Sequence, residues 1–183
     1  GKDFIFDGDF TVESWVNFGE ITPGSPQTIF TNRQSSSYVP GDWYILCNYV
    51  NTGEGKLQAG IKGITPVVSS EKIYANTWYH IALVRQSGQV TLYIDGVDNN
   101  ATSPTNHRDP VGTGDSNTII VGLLGSDNQM TGYIDEIRVS RRARYSSDFV
   151  APTEPFVNDS DTVLLIHGKV DSVGNKTIED DNK

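Results

Sequence analysis

The alternation of apolar and polar positions is clearest over residues 78–97, WYHIALVRQSGQVTLYIDGV. Two apolar runs, 78–85 and 90–95, flank the polar link 86–89. Gly88 in that link marks a hairpin between strands rich in β-branched and aromatic residues. In the first run both alternating sets carry bulk. Tyr79, Ile81 and Leu83 share one face and Ala82 and Val84 the other, as in a strand covered on both sides. The second run sets Val90, Leu92 and Ile94 against Thr91, Tyr93 and Asp95, and stops at the turn pair Asp95-Gly96.

The same pattern predicts a short strand at 4–7 and a longer one at 10–18. There Phe10, Val12, Ser14, Val16 and Phe18 form a face between two sheets, while Thr11, Glu13, Trp15 and Asn17 lie on a partly open face. Glu13 in mid-strand wants a cation. Further strands are predicted at 28–31, 43–50, 56–62, 65–69, 118–124 and 130–140, with polar loops at 19–27, 32–42 and 126–129. The stretch 97–117 is long for a connection and is either a functional loop or the holder of a short irregular strand. Residues 141–149 are amphipathic enough for one helical turn, and Pro152 and Pro155 follow. About ten short strands with regular turn signals predict an all-β fold, a two-sheet antiparallel jelly-roll sandwich. Its body spans 1–157. In 158–183, the strand 162–167 closes the sandwich or leads to a further domain, the first being preferred, and an acidic tail follows.

Composition narrows the chemistry. Lys+Arg 14 against Asp+Glu 23 gives a net charge of −9. Such a surface disfavours nucleic acid, which needs clustered cations, and suits neutral glycans, divalent cations or simple solubility. No apolar run approaches the length that crosses a bilayer, so no membrane insertion is expected. Cys47 is the only cysteine, and its place in an apolar run predicts a buried structural thiol. The opening Gly1-Lys2-Asp3-Phe4 carries no signal peptide and reads as part of a longer polypeptide.

Candidate sites are sparse. His80, His107 and His167 have neither metal-ligand nor triad spacing, and no serine stands in a G-x-S-x-G context. Asp135 and Glu136 are adjacent, so in a regular strand they point to opposite faces and cannot form a catalytic pair. A glycan site needs an aromatic platform with amides nearby. Tyr38, Trp43, Tyr44 and Tyr49 are close in sequence, and Asn99 and Asn100 lie in the long loop, although each ring could equally pack in the core.

FDGDFTVESWV (6–16), WYHIALVR (78–85), LYIDG (92–96), GYIDEIRVS (132–140) and ARY…F..PT (143–153) together resemble the laminin-G-like, concanavalin A-type jelly-roll superfamily. The run 137–155 followed by DTVLLIH (161–167) is most similar to versions found in bacteriophage virion proteins such as tail fibres. One departure is that such domains often begin with an LLH-type strand ahead of the FDG motif; it is missing, or 162–167 takes its place.

The resemblance implies a non-enzymatic carbohydrate-binding domain on a virion appendage, outside the cell. It would recognise host surface glycan through loops at one side of the sandwich, in an assembly expected to be a homotrimer. The alternative is a structural decoration or adaptor domain that binds other virion proteins. A third is a glycoside hydrolase, whose laminarinase-type motif E-x-D-x-x-E puts two carboxylates on one face; the chain lacks it. Glu13 and Arg138, both in shared motifs, are expected to pair across adjacent strands as a structural ion pair. Pentraxin-like members bind Ca²⁺, and Asp42, with Asp127, Asn128 and Gln129, matches their acidic loop positions. Calcium takes six to eight oxygen ligands, so backbone carbonyls and water would have to complete the set; the alternative is that 127–129 is only a turn. In this context Arg141-Arg142-Ala143-Arg144 is a connecting turn. The sequons at Asn100, Asn158 and Asn175 are chance matches if the source is a phage.

Overall fold

Period-two alternation dictates the core. In β1 (Phe10–Phe18), Phe10, Val12, Val16 and Phe18 are fully buried on one face, where they meet Ile29, Trp43, Ile45, Leu57 and Ile61 of the opposite sheet. The computed structural model describes residues 4–33, 39–47, 55–101, 105–112, 118–123, 128–170 and 176–180. Among them there is no helix.

The remaining strands are β2 (Gln27–Thr31), β3 (Trp43–Cys47), β4 (Lys56–Ile61), β5 (Val67–Lys72), β6 (Trp78–Gln86), β7 (Gln89–Ile94), β8 (Val97–Asp98), β9 (Thr105–Asn106), β10 (Ile120–Val121), β11 (Gly132–Ser140), β12 (Thr162–Val170) and β13 (Lys176–Asp180). One sheet runs β13-β12-β11-β1-β6-β7-β8, with β9 also on β7; the other runs β10-β2-β3-β4-β5, and all pairings are antiparallel. This is the two-sheet antiparallel sandwich that the alternation predicts. β12 pairs with β11, so the TVLLIH strand lies in the larger sheet, with β13 beyond it.

Four local expectations change. Of the strand expected at 118–124, the described residues keep only Ile120–Val121. Residues 4–7 make a single bridge, Phe6 to Val111, rather than a strand. Residues 141–149 form no helical turn, because their backbone is engaged elsewhere: Thr11 Oγ1 donates to Arg142 O (2.8 Å) and accepts from Arg144 N (3.0 Å), and Phe149 N donates to Gly96 O (2.8 Å). The face of β1 carrying Glu13 is not open at its middle, because residues 141–157 cross it. Ala82, Val84 and Tyr93 on this outer face pack against Ala143, Tyr145 and Phe149 of the crossing segment.

β11 contains one residue more than its partner requires. Glu13 pairs with Arg138 but Trp15 pairs with Asp135, so the register slips by one across Ser14. Glu136 absorbs the slip at φ +52°, in the left-handed region that a non-glycine residue rarely occupies.

Candidate functional site

Strand register assembles two features on the outer face of the larger sheet. The first is a buried clamp. Arg138 lies opposite Glu13 on β11, and Glu13 Oε1 accepts from Arg138 Nε and Nη2, both at 2.8 Å. Glu13 Oε2 faces His80 Nε2 at 3.1 Å and accepts from the Tyr145 hydroxyl at 2.7 Å. Burial alone would raise the Glu13 carboxyl; His80, Arg138 and Tyr145 outweigh it and hold the group below the ordinary carboxylate range. The Tyr145 hydroxyl is pushed up, by burial first and then by the adjacent Glu13 charge. His80 is ringed edge-on by Trp15, Tyr145, Phe149 and Phe156, and Arg138 stacks on Phe156 at 4.2 Å. Arg144 extends the clamp to Asp159 through two hydrogen bonds of 3.0 and 2.9 Å. Glu13 and His80 are wholly buried, so this carboxylate–histidine pair is closed to any substrate.

The second feature lies one and two pairing rows further along the same face. Trp15 has Asp135 on one side and His80 on the other; in the next row on this face, Asn17 stands between Tyr133 and Trp78. Trp78 is 44% exposed and Tyr133 63% exposed, with ring centroids 6.5 Å apart. Beside them a groove of about 560 Å³ is lined by Trp15, Trp78, Asp135, Glu136, Glu154 and Pro155, among others. The two rings form a contiguous exposed pair beside the groove, and an apolar floor with a few polar groups is what a small-ligand site requires.

The bulge explains why two adjacent acids line one groove. Counted back from Arg138 without the extra residue, Asp135 and Tyr133 would face the core; with it, they turn outward and Ile134 turns in toward Val16. The expectation that Asp135 and Glu136 point to opposite faces is corrected by this slip. Their oxygens are nonetheless engaged. Glu136 Oε1 contacts His167 Nδ1 (2.6 Å) and Oε2 accepts from Phe156 N (2.6 Å), while Asp135 Oδ1 accepts from Gly168 N (2.7 Å) and Glu136 N (2.8 Å).

The residues first singled out for glycan contact are placed elsewhere. Trp43 is fully buried between the sheets, and Tyr44 is buried with its hydroxyl accepting from Gln58 Nε2 at 2.6 Å, so neither presents a ring to a ligand. Asn99 is buried and its Oδ1 accepts from Ser70 Oγ and Glu71 N; Asn100 Oδ1 accepts from Leu92 N. Tyr38 and Tyr49 lie outside the described residues, as does Asp127. Asp42 is buried and its Oδ2 accepts from Val39 N, at the Thr31–Asn32 end of β2. Asn128 O accepts from Thr28 N near the other end, and Gln129 is exposed. Among the described residues no group of three His, Cys, Asp or Glu side chains is placed to hold a metal ion. Trp15 had a signal in the sequence, its place on the open face of β1; Trp78 and Tyr133 had none until register set them beside Asn17.

The fold has known counterparts. The chain belongs to the concanavalin A-like lectin/glucanases superfamily, whose Laminin_G_3 profile matches residues 2–148. Among solved structures it is similar to a candidate carbohydrate binding protein from Bacteroides ovatus (17% identity, TM-score 0.70), covering 96% of this chain and 54% of that one. It is also similar to domain 4 of AbnA, a GH43 extracellular arabinanase from Geobacillus stearothermophilus in complex with arabinotriose (24% identity, TM-score 0.55; 74% and 62% covered). A Trypanosoma rangeli sialidase matches at 13% identity and TM-score 0.50, with 76% of this chain covering 21% of that one. The chain thus spans less than two thirds of each. No curated protein sequence matches it.

Proposed function

We propose that this is a non-enzymatic carbohydrate-binding domain whose site is the Trp15–Trp78–Tyr133 surface and its adjoining groove. The observation that carries the reading is the exposed pair Trp78 and Tyr133 flanking the Asn17 amide on a rigid sheet. Aromatic faces stack on the apolar faces of sugar rings, and an amide with nearby carboxylates accepts and donates to hydroxyls. The Bacteroides ovatus and AbnA similarities support the reading, since one is a candidate carbohydrate binding protein and the other is in complex with arabinotriose. The resemblance of the run 137–155 to phage tail fibres supports a further part of the same reading: a virion appendage outside the cell, host surface glycan as partner and a homotrimer as assembly. A calcium role comes from the resemblance alone, and Asp42 and Asn128 would have to serve separate ions, since they stand near opposite ends of β2. A hydrolase role finds less support, because Glu136 commits both oxygens to holding Phe156 N and His167.

A second reading has its own observation. Val150 and Val157 on the crossing segment are 89% and 74% exposed, and such residues suit contact with another virion protein. A glycan array with the wild-type chain, Trp78→Ala and Tyr133→Ala separates the two. Sugar retention that falls about tenfold or more in either variant supports the first; no sugar binding, or equal binding by all three proteins, overturns it.

A further inference from the structure

We propose that the groove selects its glycan by charge: it takes chains that carry a free amino group ahead of otherwise equal neutral chains, and rejects uronic and sialic acids. This rests on the carbohydrate reading above and names the ligand class of that same site.

Three observations carry it. Asp135, Glu136 and Glu154 line the groove, and no lysine or arginine is among the described residues that do. Glu154 is exposed, and Asp135 spends only Oδ1 on the backbone, so both can meet a ligand; Glu136 is committed to His167 and Phe156 N and is not counted. The rings of Trp15 and Trp78 stand beside these carboxylates, and an aromatic face attracts an ammonium as well as an apolar sugar face. One carboxylate about 4 Å from an ammonium favours it roughly fivefold even at the dielectric of water, and repels a sugar carboxylate by a comparable factor. The whole chain carries −9, so the local contribution must be separated from the general one.

The experiment compares a fully deacetylated glucosamine oligosaccharide with its N-acetylated counterpart of equal length by titration calorimetry, at low salt and at a pH where the amine is protonated. Polygalacturonate serves as the anionic probe. The expected result is that the deacetylated chain binds about fivefold or more tighter than the acetylated one, the anionic polymer is not retained, and added salt narrows the gap. In D135N/E154Q the ratio of deacetylated to acetylated affinity should fall to about one, whatever the absolute affinities become. In D7N/E71Q, which removes the same charge away from the groove, the preference should survive. E154Q alone, at an exposed position, covers the case in which the double variant folds poorly, and should roughly halve the preference on a logarithmic scale. A preference unchanged in E154Q and D135N/E154Q, or equal binding of polygalacturonate, overturns the proposal and leaves the carbohydrate reading standing. Undiminished binding of both oligosaccharides by Trp78→Ala overturns the reading itself.

Discussion

The Tyr145 hydroxyl donates to Glu13 Oε2 at 2.7 Å, joining residues 132 positions apart. Through this bond and Arg138, one carboxylate fastens the crossing segment to the middle of the larger sheet. Tyr145→Phe is expected to cost about 1.5–3 kcal/mol, as for a hydrogen bond to a charged acceptor. Glu13→Gln leaves the Arg138 cation buried without its counterion and should cost about 3–5 kcal/mol. Urea denaturation of both variants checks the order, and a Tyr145→Phe loss larger than that of Glu13→Gln would contradict it.

Acid should loosen the same clamp. Folded Glu13 ionises below its ordinary range, where its partners overcome burial, and folded Asp159 does so chiefly through its hydrogen bonds from Arg144. As pH falls the unfolded chain takes up these protons first. The stabilisation is therefore whole above the ordinary carboxylate pKa of about 4 and is lost as pH drops toward the folded-state values. Tyr145 acts in the opposite sense: its raised folded pKa contributes stability below the ordinary tyrosine value of about 10 and loses it as pH rises through the folded one. Thermal melts across the acid range should show a shallower acid limb for Glu13→Gln than for wild type.

Two tryptophans should respond in opposite ways. Trp78→Ala, on the exposed surface, is expected to change stability by about 1 kcal/mol or less while glycan retention falls. Trp43→Ala empties the centre of the sandwich and should cost about 3–5 kcal/mol. Melting temperature and affinity electrophoresis on the same preparations test the contrast.

Gly96 turns at φ +81°, and a Cβ there would stand 2.0 Å from the Phe149 carbonyl oxygen. Gly96→Ala must push the crossing segment off the sheet, at a cost of about 1–3 kcal/mol. Limited proteolysis should then cut within residues 141–157 before it cuts elsewhere, whereas wild type resists there.

Burial pushes the Cys47 thiol up to about 12, and the residue is wholly enclosed between the sheets. An aromatic disulfide reagent at neutral pH is expected to leave it unmodified in the native protein and to titrate one thiol on unfolding. Rapid reaction of the native chain would show that β3 opens.

The sandwich could be read from the chain because β1 and β7 alternate and β6 is apolar on both faces, and these patterns are properties of neighbouring residues. The register beneath it could not. Trp15, Trp78 and Tyr133 are 63 and 55 positions apart along the chain and meet only because Asn17 pairs with both Trp78 and Tyr133. Trp43 and Tyr44 looked like a platform because they cluster in sequence, but β3 is central to its sheet and covered on both faces. The helical turn over 141–149 failed for a related reason: its amphipathic spacing serves a segment that lies flat on a sheet, with Tyr145 and Phe149 stacked at 3.5 Å and facing Tyr93.

The slip at Glu136 also leaves β11 out of phase with itself. Its outward positions are odd-numbered at 133 and 135 and even-numbered from 138 onward, so a saturation scan along the strand will demand apolar residues at 134, 137 and 139, a spacing of three and then two. The half that displays rings to solvent and the half that seals the carboxylate thereby tolerate change on separate schedules. Substitutions at 133 and 135 can reshape the solvent-facing surface without disturbing the bolt at 138.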